Sequence, residues 1–404
     1  MRVVLSTYDS RGGVEPLVAL AVTLRDLGSQ VQVCAPPDCA ERLAEVGVPL
    51  VPVGNQVRPL VHGTTRPAPA DVPRLAAAVM GAQFDALVAA ADGADAIVTC
   101  GLVPAVAGAR SVAELLGIAS VMVHWCPIYL PSPHHRPQPL PGLPIPADVT
   151  DPGELDAVDV ANYNAFLGEP LNAHRAAVGL PAVDDVRAYI LGDRPWLGAD
   201  PTLAPWATPA DVGVVQTGAW ILPDTRQLPE GVEAFLAAGS PPVYVTFGSM
   251  RPPDGFAPVA IGAVRSAGRR VLVGRGWADL DAVDDSDDCL VIGEVNQQEL
   301  FGRVAAVVHH GGAGITTTAA RAGVPQVVVP QMADQPYWAG RVAALGVGVA
   351  HEGPVPTVDS LAAALTGALT PETRTRVEVL AGQVRTDGAT VAAHLLGQLS
   401  TGPR

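Results

Sequence analysis

The sequence predicts an α/β protein made of two doubly wound parallel-sheet domains, and three observations predict it. Short apolar runs of strand length alternate with amphipathic helical segments through both halves of the chain. A Pro/Gly-rich stretch with little periodicity, from Trp196 to Pro229, separates the two series. The chain has 404 residues, too many for one ordinary core.

Arg2 to Ser6 reads as a buried strand, Thr7 to Gly13 as its turn and Val14 to Leu27 as an amphipathic helix. The strands Gln30–Cys34 and Leu50–Val53 follow, with a helix over Cys39–Val46 between them. A long helix over Val72–Ala91, the strand Ala96–Cys100, a helix over Pro104–Leu116 and the strand Ser120–Trp125 continue the alternation. Residues 126–152 hold nine prolines, which deny helix and sheet bonding and make this a long loop after a strand's carboxyl end. We expect an acceptor-side flap there, with His134 and His135 as surface residues. Glu154 to Val178 reads as helix, broken or kinked at Pro170. The second series runs through the strand Val243–Phe247, a helix over Phe256–Ser266, and the strands Arg270–Val273 and Cys289–Ile292. Val358–Leu369 and Pro371–Gln398 are broadly helical.

Composition removes several functions. The net charge of −15 and the lack of a basic run disfavour nucleic acid, whose phosphates demand a positive patch. All 25 basic residues are arginine, which excludes a P-loop lysine, a Schiff-base lysine and pyridoxal-phosphate chemistry. The five cysteines lack CxxC spacing and read as reduced, packed thiols in a cytoplasm. No uninterrupted apolar run approaches the ~18 residues of a membrane span, and Val3-Val4-Leu5 is too short for a signal-peptide core.

The chemistry concentrates between Val304 and Gly346. Val304–Val308 reads as strand, His309-His310-Gly311-Gly312-Ala313-Gly314 as a glycine turn, and Ile315–Ala322 as helix. Gln326–Pro330 is the next strand, Gln331–Gln335 a polar turn, and Pro336–Leu345 a helix. A strand feeding a glycine turn into a helix start gathers free backbone N–H groups and the positive end of the helix dipole, which suits a phosphate-type anion. Both turns open at the carboxyl edge of a parallel sheet, where ligands bind. One crevice should therefore hold a diphosphate at His310 to Gly314 and a hydroxyl-rich group beside Asp334 and Gln335.

The string His-His-Gly-Gly-Ala-Gly, then Gly-Val-Pro, Ala-Asp-Gln-Pro-Tyr-Trp-Ala and Arg-Val-x-x-Leu-Gly-x-Gly resembles the donor-binding half of family 1 glycosyltransferases of GT-B fold. The subgroup it most resembles decorates vancomycin- and teicoplanin-type glycopeptide antibiotics, and Ser10-Arg11-Gly12-x-Val14-Glu15-Pro16-Leu17 and Gln216-Thr217-Gly218-Ala219-Trp220 fit that subgroup. The resemblance implies an acceptor-binding domain over 1–205, a linker over 206–229 and a nucleotide-sugar-binding domain over 230–385. A last helix over 386–404 packs back on the first domain, and the domains face each other across a cleft. It further implies a monomer using a UDP- or dTDP-linked sugar donor, without a metal or other cofactor.

The expected donor contacts are Arg11, Ser249, Trp277, Val295, Gln298, His310, Gly311, Gly312, Ala313, Gly314, Ile315, Asp334 and Gln335; Arg11 either meets the diphosphate or is a surface arginine, and Ser249 either meets a phosphate or the ribose or only caps its turn. Val295 lies where backbone reads the pyrimidine edge, Gln298 or Glu299 at the ribose, and Trp277 either covers the base or simply packs at a strand end. Asp334 and Gln335 match the acidic-Gln pair that grips sugar hydroxyls, although Asp334 is also placed to cap the next helix. Ile315 replaces the family's usual threonine, so that hydroxyl is either missing here or supplied by Thr316. Asp285-Ser286-Asp287 mimics a metal-binding DxD but sits in an acidic run before a strand, which reads as a solvated loop.

Inverting transfer needs a base to deprotonate the acceptor hydroxyl. The antibiotic glycosyltransferases place an aspartate where this chain has Gly13, and Asp9 is the nearest carboxylate in sequence. Asp9, directly or through Ser10 or water, is the expected catalytic group; the alternative is that Asp9 only caps the helix. The functions left open are transfer to a glycopeptide aglycone, to a macrolide, polyketide or lipid acceptor, or a catalytically weak nucleotide-sugar binder. A nicotinamide oxidoreductase is disfavoured because Ser6 to Gly13 contains no GxGxxG.

Overall fold

The structure is a computed structural model that describes residues 1–59, 71–208, 210, 212–277, 280 and 286–401, the side chains of 400 and 401 excepted. The chain divides into two compact units, Met1–Pro201 with Pro205–Leu222 and Thr386–Arg404, and Thr202–Ala204 with Pro223–Arg385.

In the first unit the described elements are β1 (Arg2–Tyr8), α1 (Arg11–Asp26), β2 (Gln30–Ala35), α2 (Ala40–Glu45), β3 (Leu50–Pro52), α3 (Val72–Ala90) and β4 (Ala96–Gly101). These are followed by α4 (Val103–Leu116), β5 (Ala119–His124), α5 (Pro152–Ala177), α6 (Val186–Leu191), β6 (Trp196–Leu197) and β7 (Val215–Gln216). Its seven strands are ordered β3-β2-β1-β4-β5-β6-β7, every pair parallel. The order reverses between β1 and β4, so the ends of these strands at Tyr8 and Gly101 mark where such a sheet opens a ligand crevice.

The strands β1, β2, β4 and β5 bury their apolar runs on both faces, as parallel strands under helices must. Among the described residues one helix, α3, is long and apolar enough to cross a membrane by length and composition. It turns Ala76, Met80, Phe84 and Leu87 inward and packs on α4, the pattern of a core helix. Of the break or kink expected at Pro170, the break does not occur: α5 runs continuously from Pro152 to Ala177, anchored on both sides of the proline by buried Phe166, Leu167 and Leu171. The proline-rich loop after β5 is tied to itself by Arg136, whose guanidinium donates to the carbonyls of Val149 (2.5 Å) and Pro146 (2.7 Å).

The second unit begins with α7 (Glu230–Ala237), β8 (Val243–Thr246), α8 (Phe256–Ser266), β9 (Val271–Gly274), β10 (Cys289–Ile292) and α9 (Gln297–Phe301). It continues with β11 (Ala306–His309), α10 (Ala313–Arg321), β12 (Gln326–Val328), α11 (Gln335–Ala344), β13 (Gly348–Ala350), α12 (Val358–Ala368) and α13 (Pro371–Ala381). Its six parallel strands are ordered β10-β9-β8-β11-β12-β13, with the reversal between β8 and β11. A final helix, α14 (Gly388–Thr401), belongs to the first unit and lies on α1, where Ala389, Ala392, Ala393 and Leu396 enter that unit's core beside Trp220. The helical stretch expected over Pro371–Gln398 is thus two helices.

Candidate active site

The turn after β11 stands at the reversal point of the second sheet. Gly311 takes φ 96°, a conformation that L side chains rarely adopt, and a Cβ there would stand 2.8 Å from Val328 Cγ1. Gly312 is the N-cap of α10, and no side chain caps it. A Cβ on Gly312 would come 2.9 Å from His310 Nε2, so glycine is what leaves the imidazole in place. The amides of Ala313, Gly314 and Ile315 occupy the helix's first turn, where no carbonyl of the helix reaches them, and no acidic residue stands among them. Open space lies beside the Cα of Gly314. Uncapped amides at the positive end of a helix dipole form a seat for an anion.

His310 is packed between this turn and the turn after β8. A Cβ on Gly248 would reach within 3.4 Å of its Cε1, and the Phe247 ring lies 6.0 Å away. Burial pushes the His310 pKa down to about 4, so the ring is neutral at physiological pH. Its buried Nδ1 has no hydrogen-bond partner among the described residues. The Gly248 turn also gathers two other expected residues. Trp277 donates its backbone N–H to the Gly248 carbonyl (2.9 Å), Gly276 packs on that same carbonyl, and Ser249 follows directly in the chain. Ser249, Trp277 and His310 therefore share one edge of the second unit.

The polar turn after β12 is built by Gln335, whose Oε1 accepts the N–H groups of Gln331 (2.8 Å) and Met332 (3.2 Å). Ala333 sits at φ 55°, the non-glycine positive φ among the described residues, which costs about 1–2 kcal/mol and places strain beside Asp334. A Cβ on Gly311 would stand 3.1 Å from the Gln335 carbonyl, so the glycine turn and the polar turn pack on each other. Asp334 occupies the N-cap of α11 without capping it; its Oδ2 accepts from Trp338 Nε1 (2.9 Å), and burial raises its pKa. The capping role considered for Asp334 is thus replaced by this bond. Thr316 does not supply the hydroxyl that Ile315 lacks, because it is fully buried and its own hydroxyl donates to the Gly312 carbonyl (2.8 Å). Ile315 packs on the cluster containing Leu300 and Phe301.

Val295 packs on that same cluster. The loop's dominant polar residue is Asn296, to which the sequence assigned no role. It caps α9 by accepting from Glu299 N (3.1 Å) and donates to the carbonyls of Asp224 (3.0 Å) and Arg226 (2.8 Å). Gln298 Oε1 accepts from Asp224 N (3.4 Å), so its amide also meets the segment entering this unit. Asp285 of the Asp285-Ser286-Asp287 triplet lies outside the described residues. Among the described residues no group of three His, Cys, Asp or Glu side chains is arranged to hold a metal ion.

In the first unit Asp9 and Ser10 follow β1 at its reversal point. Ser10 is the N-cap of α1, and its amide donates to Asp9 Oδ1 (2.6 Å). A Cβ on Gly13 would lie 2.6 Å from Asp9 Oδ2 and 2.7 Å from Asp9 Cβ. The Asp9 side chain thus fills the volume that any side chain at position 13 would take. Arg11 is paired with Glu15 (3.1 Å), a carboxylate it shares with Arg42 (3.1 Å).

Known proteins match this chain over nearly its whole length. The profile for the glycosyltransferase family 28 N-terminal domain matches residues 3–132, and that for the erythromycin biosynthesis protein CIII-like C-terminal domain matches residues 279–391. Glycosyltransferase GtfE of Amycolatopsis orientalis is 57% identical over 399 residues, covering 98% of this chain and 97% of the relative. The vancomycin aglycone glucosyltransferase of the same organism is 57% identical over 397 residues, with coverage of 98% and 97%. The dTDP-epi-vancosaminyltransferase of that organism is 50% identical over 386 residues, with coverage of 93% and 92%. Among solved structures, the glycotransferase of kitacinnamycin superposes with a TM-score of 0.73 at 21% identity, covering 98% of both chains. Glycosyltransferase VinC in complex with dTDP superposes with a TM-score of 0.69 at 20% identity, covering 99% of both. With the expected doubly wound architecture also in place, the chain belongs to the GT-B glycosyltransferases of the vancomycin group and is a nucleotide-sugar-dependent transferase.

Proposed function

We propose that this enzyme transfers a sugar, with inversion, from a UDP- or dTDP-linked donor to a hydroxyl of a glycopeptide antibiotic aglycone, without a metal. The observation that carries the reading is the uncapped amide mouth of Ala313, Gly314 and Ile315 beside the unpartnered Nδ1 of His310. The names of the 57%-identical vancomycin aglycone glucosyltransferase and the 50%-identical dTDP-epi-vancosaminyltransferase support the donor and acceptor classes. Residues 1–205 take the acceptor and residues 230–385 the donor, with 206–229 linking them and 386–404 returning to the first domain. The protein works as a monomer in the cytoplasm, a setting supported by five cysteines that are all buried and free.

In the reaction the acceptor oxygen attacks the anomeric carbon as the bond from that carbon to the diphosphate oxygen breaks. The nucleoside diphosphate leaves with the bond's electrons, and the acceptor's proton passes to a base. The helix amides and the neutral His310 N–H stabilise the charge growing on the leaving group. Ser249 and Arg11 contribute to the diphosphate, Trp277, Val295 and Gln298 to the nucleoside, and Asp334 and Gln335 to the sugar hydroxyls. Asp9 is the base, its carboxylate standing over Gly13 and steadied by the Ser10 amide.

Mass spectrometry of glycopeptide, macrolide and lipid acceptors incubated with UDP- and dTDP-sugars tests the reading. Glycosylated glycopeptide is expected; nucleotide binding without any product would identify a binder instead. Asp9→Asn should lower kcat about 10²- to 10³-fold with nucleotide affinity unchanged, the scale of a lost general base. Gly13→Asp alone should also lose activity, because its Cβ meets Asp9 Oδ2 at 2.6 Å, whereas the double variant Asp9→Gly/Gly13→Asp should regain it. Unchanged turnover in Asp9→Asn removes Asp9 from the mechanism.

A further inference from the structure

The glycine motif contains two histidines, and the chemistry described so far uses only the second. His309, the last residue of β11, is fully buried. Its Nδ1 accepts the N–H of Gly311 (3.0 Å), so Nδ1 carries no proton and the ring's hydrogen is on Nε2. Nε2 donates to Gln326 Oε1 (2.9 Å), and Gln326 Nε2 donates in turn to the Thr316 carbonyl (3.3 Å) in α10. Gln326 opens β12, is fully buried and pairs in register with Val307 of β11. The chain of bonds therefore closes a loop from β11 through the glycine turn and across the sheet to the first turns of α10.

We propose that His309 is the positioning residue of the diphosphate mouth. By taking up the Gly311 N–H it withdraws that amide from the ligand and leaves those of Ala313, Gly314 and Ile315 to bind. Its Nε2 bond to Gln326 holds the ring in the tautomer and orientation that this requires. Gly311 thus serves through its φ of 96° and not as a donor. Only one tautomer does this work: a ring protonated on Nδ1 would face the Gly311 N–H with another N–H. The inference rests on the nucleotide-sugar reading of this mouth.

Two isosteric substitutions separate the two ends of the ring. His309→Asn keeps an oxygen near the Nδ1 position and loses the reach to Gln326, whereas His309→Gln keeps a group near Nε2 and gives up the Gly311 bond. Calorimetry with dTDP and UDP should show His309→Asn within about threefold of the parent and His309→Gln weaker by about tenfold, the free-energy scale of one hydrogen bond left unmade at a buried amide. The acceptor KM should not move in either variant. Equal nucleotide affinity in all three proteins, or donor and acceptor affinity falling together with the melting temperature, would overturn the inference. Long-range ¹H–¹⁵N spectra of the parent give a readout that needs no variant: a His309 ring protonated at Nε2 supports it, and one protonated at Nδ1 overturns it. If the parent itself binds neither nucleotide, the reading of the mouth fails; if it binds and the variant pattern is absent, only the role of His309 fails.

Discussion

Asp334, proposed to grip the donor's sugar hydroxyls, is held at a cost to the fold. Burial raises its pKa, so at neutral pH its ionised form is less stable in the folded chain than in the unfolded one. Asp334→Asn removes that charge and keeps an oxygen to accept from Trp338 Nε1. The variant should melt at the same temperature as the parent or higher, while its donor KM rises; calorimetric melting and initial-rate kinetics check both halves. His309 and His310 act in the opposite sense with pH. Burial lowers them from the ordinary 6.5 to about 3 and about 4, so the unfolded chain binds their protons more readily. Their contribution to stability is complete above about pH 6.5 and is lost as pH falls towards 4 and then 3. Thermal unfolding of His310→Gln should show a shallower fall over this window than the parent. At this scale the glycines of the mouth were legible in the sequence, because a positive φ and a helix start demand them. The Asp9–Gly13 relation was not, since two residues four apart reveal no shared volume until the turn is folded.

Among the elements, α14 depends most on one small residue. Its first residue, Gly388, rests on the Gly218 backbone, where Gly218 takes φ 94°; a Cβ on Gly388 would strike the Ala219 carbonyl. Gly388→Val should therefore cost about 1–3 kcal/mol, the range of an overpacked contact, measured by urea unfolding. Strand–helix alternation made most of the other elements legible. The exceptions have physical causes. The strands β6 and β7 are two residues each, too short for any periodicity, and form because β6 pairs with β5 and β7 then pairs with β6 at the edge of the first sheet. The helix α5 outlasts Pro170 because buried side chains before and after it hold both halves to one face. Asn296 passes in sequence for a loop residue, yet it joins the segment at Asp224 to the start of α9.

For the whole molecule, the first unit is completed by residues from both ends of the chain. Truncation after Arg385 removes Ala389, Ala392, Ala393 and Leu396 from its core. Hydrogen exchange should then accelerate through β1 and α1, while β8 and β11 keep their protection because their core draws nothing from α14. Equal acceleration in both units would contradict that division.

By itself the sequence determined the class of fold and the family, and it marked the glycine turn proposed as the anion mouth. Each of these is written in local patterns: the period of burial, glycines where the backbone needs them, and a long contiguous motif. Only the tertiary structure decided which groups serve the mouth and which support it. It assigned the Gly311 amide to His309, turned Thr316 inward, placed Gln326 behind the turn and set the Asp9 carboxylate over Gly13. Those assignments arise from bonds and volumes shared between separate elements, and no stretch of sequence contains both partners in a form that local chemistry can read.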